Sequence, residues 1–198
     1  MGQRALAIRT DVTEEEDLRN MIRLVIEEFG RIDVLVNNVS SGSGAAFLDS
    51  NPDELDMAYR TNVRAPYLLS LLAAQRMAET GGGTIINITS GAARHPPLPT
   101  ESARQGFTGS AILGLTKAAM ERLGTGVAAE LMAKNIAVIS VNPGATITWR
   151  TERNPGRDLS RSVPQEVTAR AVAFLCRDPM PYTGQILQSR EVVAQNNL

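Results

Sequence analysis

Three runs that are apolar at consecutive positions constrain the fold of this chain more than anything else in it: "DVLVNN", "TIINITS" and "NIAVISVNPG". A strand buried on one face alternates apolar and polar residues, whereas continuous Val/Ile runs suit interior parallel strands covered by helices on both faces. The stretches between these runs have helical spacing. Met21, Leu24 and Val25 recur at helical intervals after "TDVTEEEDL", where Thr13 and Glu16 have the separation of a capping box. A helix is therefore expected from near Glu14 to Gly30, a residue suited to a left-handed C-cap. Asn51 and Pro52 read as the N-cap and first residue of a second helix, running from about Asp53 towards Ala78 with a break near Pro66. "SAILGLTKAAMERL", from Ser110 to Leu123, gives a third helix, Pro164 to about Cys176 a fourth, "RALAIRTDV" a first strand and "TGQILQ" a last one. This alternation predicts an α/β architecture, a Rossmann-like, mostly parallel sheet flanked by helices in one domain over 1–198. The functional loops are expected at the carboxyl ends of the strands.

Composition narrows the partners. The formal charge is −1 with no run of like charges, which lacks the basic footprint of a nucleic-acid binder. No apolar run reaches the length of a membrane span, and Met1 to Asp11 lacks the apolar core of a secretion signal, so a cytoplasmic protein is expected. Cys176 and His95 are each the sole residue of their type, which argues against a metal centre. A small molecule is the expected ligand.

The elements "LVNNVS", "INITS", "TKAAMERL…GVAAEL" and "NIAVISVNPG", in this order and covering nearly the whole chain, resemble the short-chain dehydrogenase/reductase family of NAD(P)-dependent oxidoreductases. The resemblance implies hydride exchange between NAD or NADP and an alcohol or carbonyl compound. It implies catalytic roles for Asn62, which supports a water in the proton relay, Ser90, which hydrogen-bonds the substrate carbonyl, and Lys117, which contacts the nicotinamide ribose. It likewise implies cofactor contacts from Asp11 and Val12 beside the adenine, from Asn38 in the motif that reads "NNVS" here, from Pro143 and Gly144 of the turn after the strand, and from Thr148. Trp149 is then expected near the nicotinamide pocket, and a homo-oligomer, dimer or tetramer, through the long helices.

Two parts of that pattern are missing. The tyrosine one helical turn before the lysine should be residue 113, which is leucine, and the only tyrosines are Tyr59, Tyr67 and Tyr182. Ser110 lies two turns before Lys117 on the same face, but an aliphatic alcohol titrates too high to replace a phenol near pKa ~10. The glycine-rich turn that receives a pyrophosphate is also absent: "GTGVAA", Gly124 to Ala129, falls inside a helix, where its small residues are expected to let a second helix approach, and "SGSG", Ser41 to Gly44, leads into loop. Against the family, the chain lacks the first strand-helix-strand unit, which leaves "RALAIRTDV" ~10 Å from its nearest strand. A hole of that size is expected to close, by re-pairing of this strand with "DVLVNN" or by strands from another subunit, unless the chain is a fragment. Little or no dehydrogenase activity is expected, with a non-catalytic oligomerisation subunit or nucleotide-binding module as the alternative. The arginines of "TWRTERNPGRDLSR" and His95 in "ARHPP" read as solvated loop residues.

Overall fold

The computed structural model of the chain describes residues 4–42, 46–95, 111–153, 159–160 and 162–198. Helix α1 (Glu15–Phe29) leads to strand β1 (Val34–Asn37). Helix α2 (Pro52–Tyr59) passes through a π turn (Arg60–Arg64) into α3 (Ala65–Glu79), which is followed by β2 (Gly83–Ile88). Helix α4 (Ala111–Leu131), β3 (Ile136–Asn142), the short β4 (Thr146–Ile147) and α5 (Trp149–Glu152) come next. The chain then forms β5 (Val163–Pro164), α6 (Gln165–Leu175), β6 (Ile186–Gln188) and α7 (Ser189–Gln195).

The main sheet is parallel throughout, in the order β1-β2-β3-β6, with Leu35 beside Ile85 and Ile85 beside Val138. Its central strands are covered twice, which accounts for their continuous apolar runs. Ile85, Ile136 and Val138 pack with Leu18 of α1, Met77 of α3 and Ala128 of α4. The alternate residues Ile86, Ile139 and Val141 pack on the other face with Ala171 and Leu175 of α6 and Val192 of α7. Gly124 lets α4 lie close on the sheet, because a Cβ there would stand 3.1 Å from Asn87 Nδ2 and 3.3 Å from Ser140 Oγ. The glycine expected to admit a second helix therefore admits the sheet.

Local signals hold at two helix ends. Asn51 accepts the Glu54 N–H at 3.0 Å and Pro52 opens α2. Gly30 closes α1 in the left-handed region at φ +81°. The expected capping box does not form. Glu14 rather than Thr13 is the N-cap of α1, with no side-chain bond, and Thr13 gives its N–H at 2.9 Å and its hydroxyl at 2.8 Å to the Asp11 carboxylate. The break in the second helix comes just ahead of Pro66, as a widened turn in which the Ala65 N–H reaches back to the Arg60 carbonyl. Pro66 has no N–H to give the carbonyl of Asn62, so the regular ladder cannot run through this point.

The expected first strand is not a strand. Residues 4–10 carry no ladder to β1; the segment is tied along α1, with the Arg4 guanidinium on the Glu28 carboxylate and 5.3 Å from the Phe29 ring centre, and the Asp11 N–H on Asp17 at 2.7 Å. The hole expected to close stays open as a cleft of about 290 Å³, between Ile8, Thr10 and Val12 on one side and Leu35 and Val36 on the other. Strand β1 is consequently the margin of the sheet, with Val34 40% and Val36 42% exposed. Among the described residues no helix is long and apolar enough to cross a membrane, and no three His, Cys, Asp or Glu side chains cluster as metal ligands would.

Candidate cofactor and catalytic site

Two groups of residues meet around the carboxyl ends of β1, β2 and β3. The first lines a cavity of about 690 Å³, to which Val36, Ile88 and Val172 contribute apolar surface and Asn38, Thr148 and Glu166 polar groups. Three of the expected cofactor residues, Asn38, Pro143 and Thr148, are in this lining. Gly144 sets the turn beside it: at φ +69° it adopts a conformation that side chains disfavour, and its N–H donates to Asn142 Oδ1 at 2.9 Å. Thr148 is also the N-cap of α5, in a reciprocal arrangement with Thr151, so its hydroxyl is held on the helix end. Trp149 is 65% exposed with the Arg153 guanidinium 5.5 Å from its ring centre, so the indole expected near the pocket faces outward.

The second group lies where α4 crosses the end of β2. Gly114 permits that crossing, since a Cβ would stand 2.7 Å from the Ala92 carbonyl oxygen. Lys117 is 2% exposed, and its Nζ donates to the Ile88 carbonyl at 2.8 Å. Burial pulls the Lys117 ammonium down to about 8, against the opposing field of Glu121. Asn62, fully buried in the π turn, accepts the Ser41 N–H at 2.9 Å and donates to the Ser41 carbonyl at 2.5 Å and to Thr116 Oγ1 at 2.9 Å. Ser90 caps the single turn Gly91–Ala93, accepting the Ala92 N–H at 3.2 Å.

Leu113, one helical turn before Lys117, is half-buried against the loop after β1, and a Cβ on Gly42 would stand 3.2 Å from its Cδ1. Tyr59 and Tyr67 are exposed on α2 and α3, and Tyr182 packs edge-on to Phe174 beneath α6. No described tyrosine is in the lining of the 690 Å³ cavity. Ser110, Gly44, Arg157 and Arg161 lie outside the described residues, and His95 is exposed.

Asp11 and Val12 lie at the 290 Å³ cleft, which shares Val36 and Asn38 with the first group. Val12 lines that cleft together with Asn37 and Asn38. The Asp11 carboxylate is turned onto Thr13, whose backbone and then hydroxyl hydrogen bonds hold it below the usual carboxylate range. Sequence reasoning missed Ser41 and Thr116, whose contacts with Asn62 are non-local. It also missed Glu121, although its place four residues after Lys117 on one helix was a readable signal.

This geometry has close relatives. The chain matches the short chain dehydrogenase family over residues 1–157. It belongs to that family. It is 32% identical over 201 residues to 7α-hydroxysteroid dehydrogenase of Escherichia coli strain K12, covering 94% of this chain and 73% of that protein. Among solved structures it is similar to acetoin dehydrogenase YohF from Salmonella typhimurium, at 29% identity and a TM-score of 0.75, over 91% of this chain and 72% of that one. It is equally similar to ElxO with NADP bound and to a tyrosine-to-phenylalanine variant of ElxO with NADPH bound. Each has 26% identity and a TM-score of 0.78, over 93% of this chain and 77% of the other. As a family member the chain is an oxidoreductase by descent, in a family whose solved members include nicotinamide-cofactor complexes.

The residues present fit such a cofactor at one end only. The 690 Å³ cavity offers apolar surface for a flat ring and amide or hydroxyl groups from Asn38 and Thr148, with Lys117 at the neighbouring strand end. For the pyrophosphate the cavity is less suited: the charged group among its described lining residues is the Glu166 carboxylate, which repels an anion.

Proposed function

We propose that this chain is a short-chain oxidoreductase by descent, directed at an alcohol or carbonyl compound through NAD or NADP, with little or no turnover in its present form. The observation that carries this reading is Leu113. A positioned proton donor and acceptor contributes ~10²–10⁴-fold to such a reaction, and a leucine against Gly42 supplies none. Of the other candidate catalytic groups, Asn62 is bonded to Ser41 and Thr116 and Ser90 caps a turn, while Lys117 gives one of its N–H donors to Ile88. Asn38, Pro143, Gly144 and Thr148 are the residues we assign to the nicotinamide side, and Asp11 and Val12 to the adenine side. A tyrosine-to-phenylalanine variant of ElxO holds NADPH, which supports treating binding and turnover as separable here.

The test is a turnover assay with NAD(H) and NADP(H) on a panel including a 7α-hydroxysteroid and acetoin, run on the protein and on Leu113→Tyr. Neither is expected to exceed background, because the Glu166 carboxylate in the cavity still opposes a pyrophosphate after the phenol is restored. Turnover by Leu113→Tyr alone overturns the two-defect reading. Cofactor titration followed through fluorescence of the reduced nicotinamide is expected to saturate only in the millimolar range, and saturation at micromolar cofactor overturns the claim that the cavity opposes a pyrophosphate.

A second reading, a non-catalytic subunit that assembles through its helices, is favoured by the large apolar side chains exposed on α2, α3 and α4: Met57, Tyr59, Tyr67, Leu71 and Leu115. A cytoplasmic homodimer or tetramer built on this surface accommodates both readings, and a sedimentation measurement distinguishes it from a monomer.

A further inference from the structure

The buried amine of Lys117 has a neighbour that the proposed chemistry does not use. Glu121 lies one turn further along α4, at the spacing where a lysine and a glutamate ordinarily close a direct ion pair. Here they do not. The Glu121 carboxylate accepts the Thr89 hydroxyl at 2.6 Å, while Lys117 Nζ donates to the carbonyl of Ile88 at 2.8 Å. Two consecutive residues at the end of β2 thus take the two charged groups separately, and Thr89 is itself 3% exposed, so its hydroxyl is part of the interior.

We propose that Thr89 and Glu121 are positioning residues for Lys117: Thr89 moors the carboxylate close enough to keep the ammonium charged, yet out of direct contact, so that the ammonium's remaining donors stay available to a hydroxyl-bearing ligand. An ammonium has three N–H donors, and the Ile88 carbonyl is the one acceptor for them among the described residues. A direct ion pair would consume a further donor and draw the amine away from the strand end. With Glu121 replaced by a neutral residue, burial would act on the lysine without opposition and a larger share of the amine would lose its proton.

Other charges do not perform this task. The elements packed beside Lys117, β2, β3 and the turn Gly91–Ala93, contain no titratable side chain. Helix α2 carries Asp53, Glu54 and Asp56 and the π turn Arg60 and Arg64, the last paired with Glu15, while on α3 Arg76 pairs with Glu79. Among these groups Glu121 is the one whose charge opposes the effect of burial on Lys117.

The inference rests on the reading of Lys117 as a ligand-binding lysine, but its test needs no cofactor, so the two can fail independently. Lys117 and Lys134 are the only lysines in the sequence. Protein carrying ¹³C at lysine Cε therefore gives two resonances, and Lys134, beyond the far end of α4, reports any general change of fold. The Lys117 midpoint is expected near 8 in the unaltered protein. It is expected to fall below that value in Glu121→Gln, because burial then acts on the ammonium without the opposing carboxylate. Thr89→Val is expected to lower it in the same direction, because the unmoored carboxylate swings into water, whereas Thr89→Ser keeps the hydroxyl and the original midpoint. An unchanged or raised midpoint in Glu121→Gln overturns the assignment. So does a raised or unchanged midpoint in Thr89→Val, since a rise would mean that Thr89 restrains a pair that closes without it. If Glu121→Gln unfolds, the Thr89→Val and Thr89→Ser pair decides the question alone.

Discussion

Replacing Asn62 tests whether the π turn is a structural staple. Its side chain joins three elements that are distant in sequence: its own turn, the loop after β1 through both backbone groups of Ser41, and α4 through Thr116. Asn62→Ala removes all three bonds at a fully buried site. Thr116 loses the N–H that its Oγ1 accepts but still donates its hydroxyl to the Ile112 or Leu113 carbonyl, each at 3.1 Å, so it is not left without a partner. Ser41 is only half-buried, and water can replace part of what its N–H and C=O lose. Two backbone groups partly orphaned give about 2–3 kcal/mol, which for a domain of this size lowers the melting temperature by about 4–12 °C.

Asn62→Asp sharpens the test through its sign. An ionised aspartate has no donor for the Ser41 carbonyl and would face that oxygen with like polarity, whereas a protonated one keeps the bond. Folding therefore raises this carboxyl above its unfolded value of ~3.9. The variant should approach the stability of the unaltered protein below that value and lose it as pH rises through the raised folded value. Thermal melts of both variants against the unaltered protein between pH 4 and pH 8 provide the assay, with the folding constant of Asn62→Asp expected to fall by about tenfold or more across that range. A melting temperature for Asn62→Ala within ~1 °C of the original, or a deficit in Asn62→Asp that does not grow with pH, refutes the staple.

Two further substitutions test the fold that carries the site. Gly144→Ala should cost about 1–2 kcal/mol by backbone strain alone, because φ is +69° and nothing lies within 4 Å of the added Cβ. Chemical denaturation checks this, and an unchanged midpoint would remove the turn argument. Met77→Ala empties a fully buried position between α3 and the sheet and should cost about 2–5 kcal/mol; a loss below ~1 kcal/mol would mean that the site collapses around the smaller residue.

Signals carried by neighbouring residues were legible in the sequence, and those that depend on distant partners were not. Asn51 with Pro52, and Gly30, act within one turn of chain and mark their helix ends as expected. The doubly buried runs around Ile85 and Val138 identified the parallel sheet, since only a strand covered on both faces is apolar at every position. "RALAIRTDV" has the composition of a strand, but a strand exists only through a partner, and these residues have none in the sheet. The capping box failed to form because α1 begins one residue later than the Thr13–Glu16 spacing requires, with Glu14 as its N-cap. Helix α7 went unseen because "SREVVAQ" is too short to display a helical period. At the site, the sequence could put Lys117 on a helix and note Leu113 before it. That the amine rests on Ile88, and that Glu121 is diverted to Thr89, depends on how α4 crosses β2, which no local pattern records.

The π turn at Arg60–Arg64 has a consequence for how this stretch tolerates change in length. One surplus residue in a turn rotates everything after it by about 100°, so α2 and α3 are two segments with different angular phase joined end to end. Deleting a single residue between 60 and 64 would make the helix more regular and the protein worse. The carbonyl of residue 62 would meet Pro66 in a continuous ladder, and every inward-facing side chain from Leu68 to Met77 would turn away from the sheet. Sequences descended from this one should therefore gain and lose residues freely on either side of the paired helices, and keep the count between Tyr59 and Pro66 fixed.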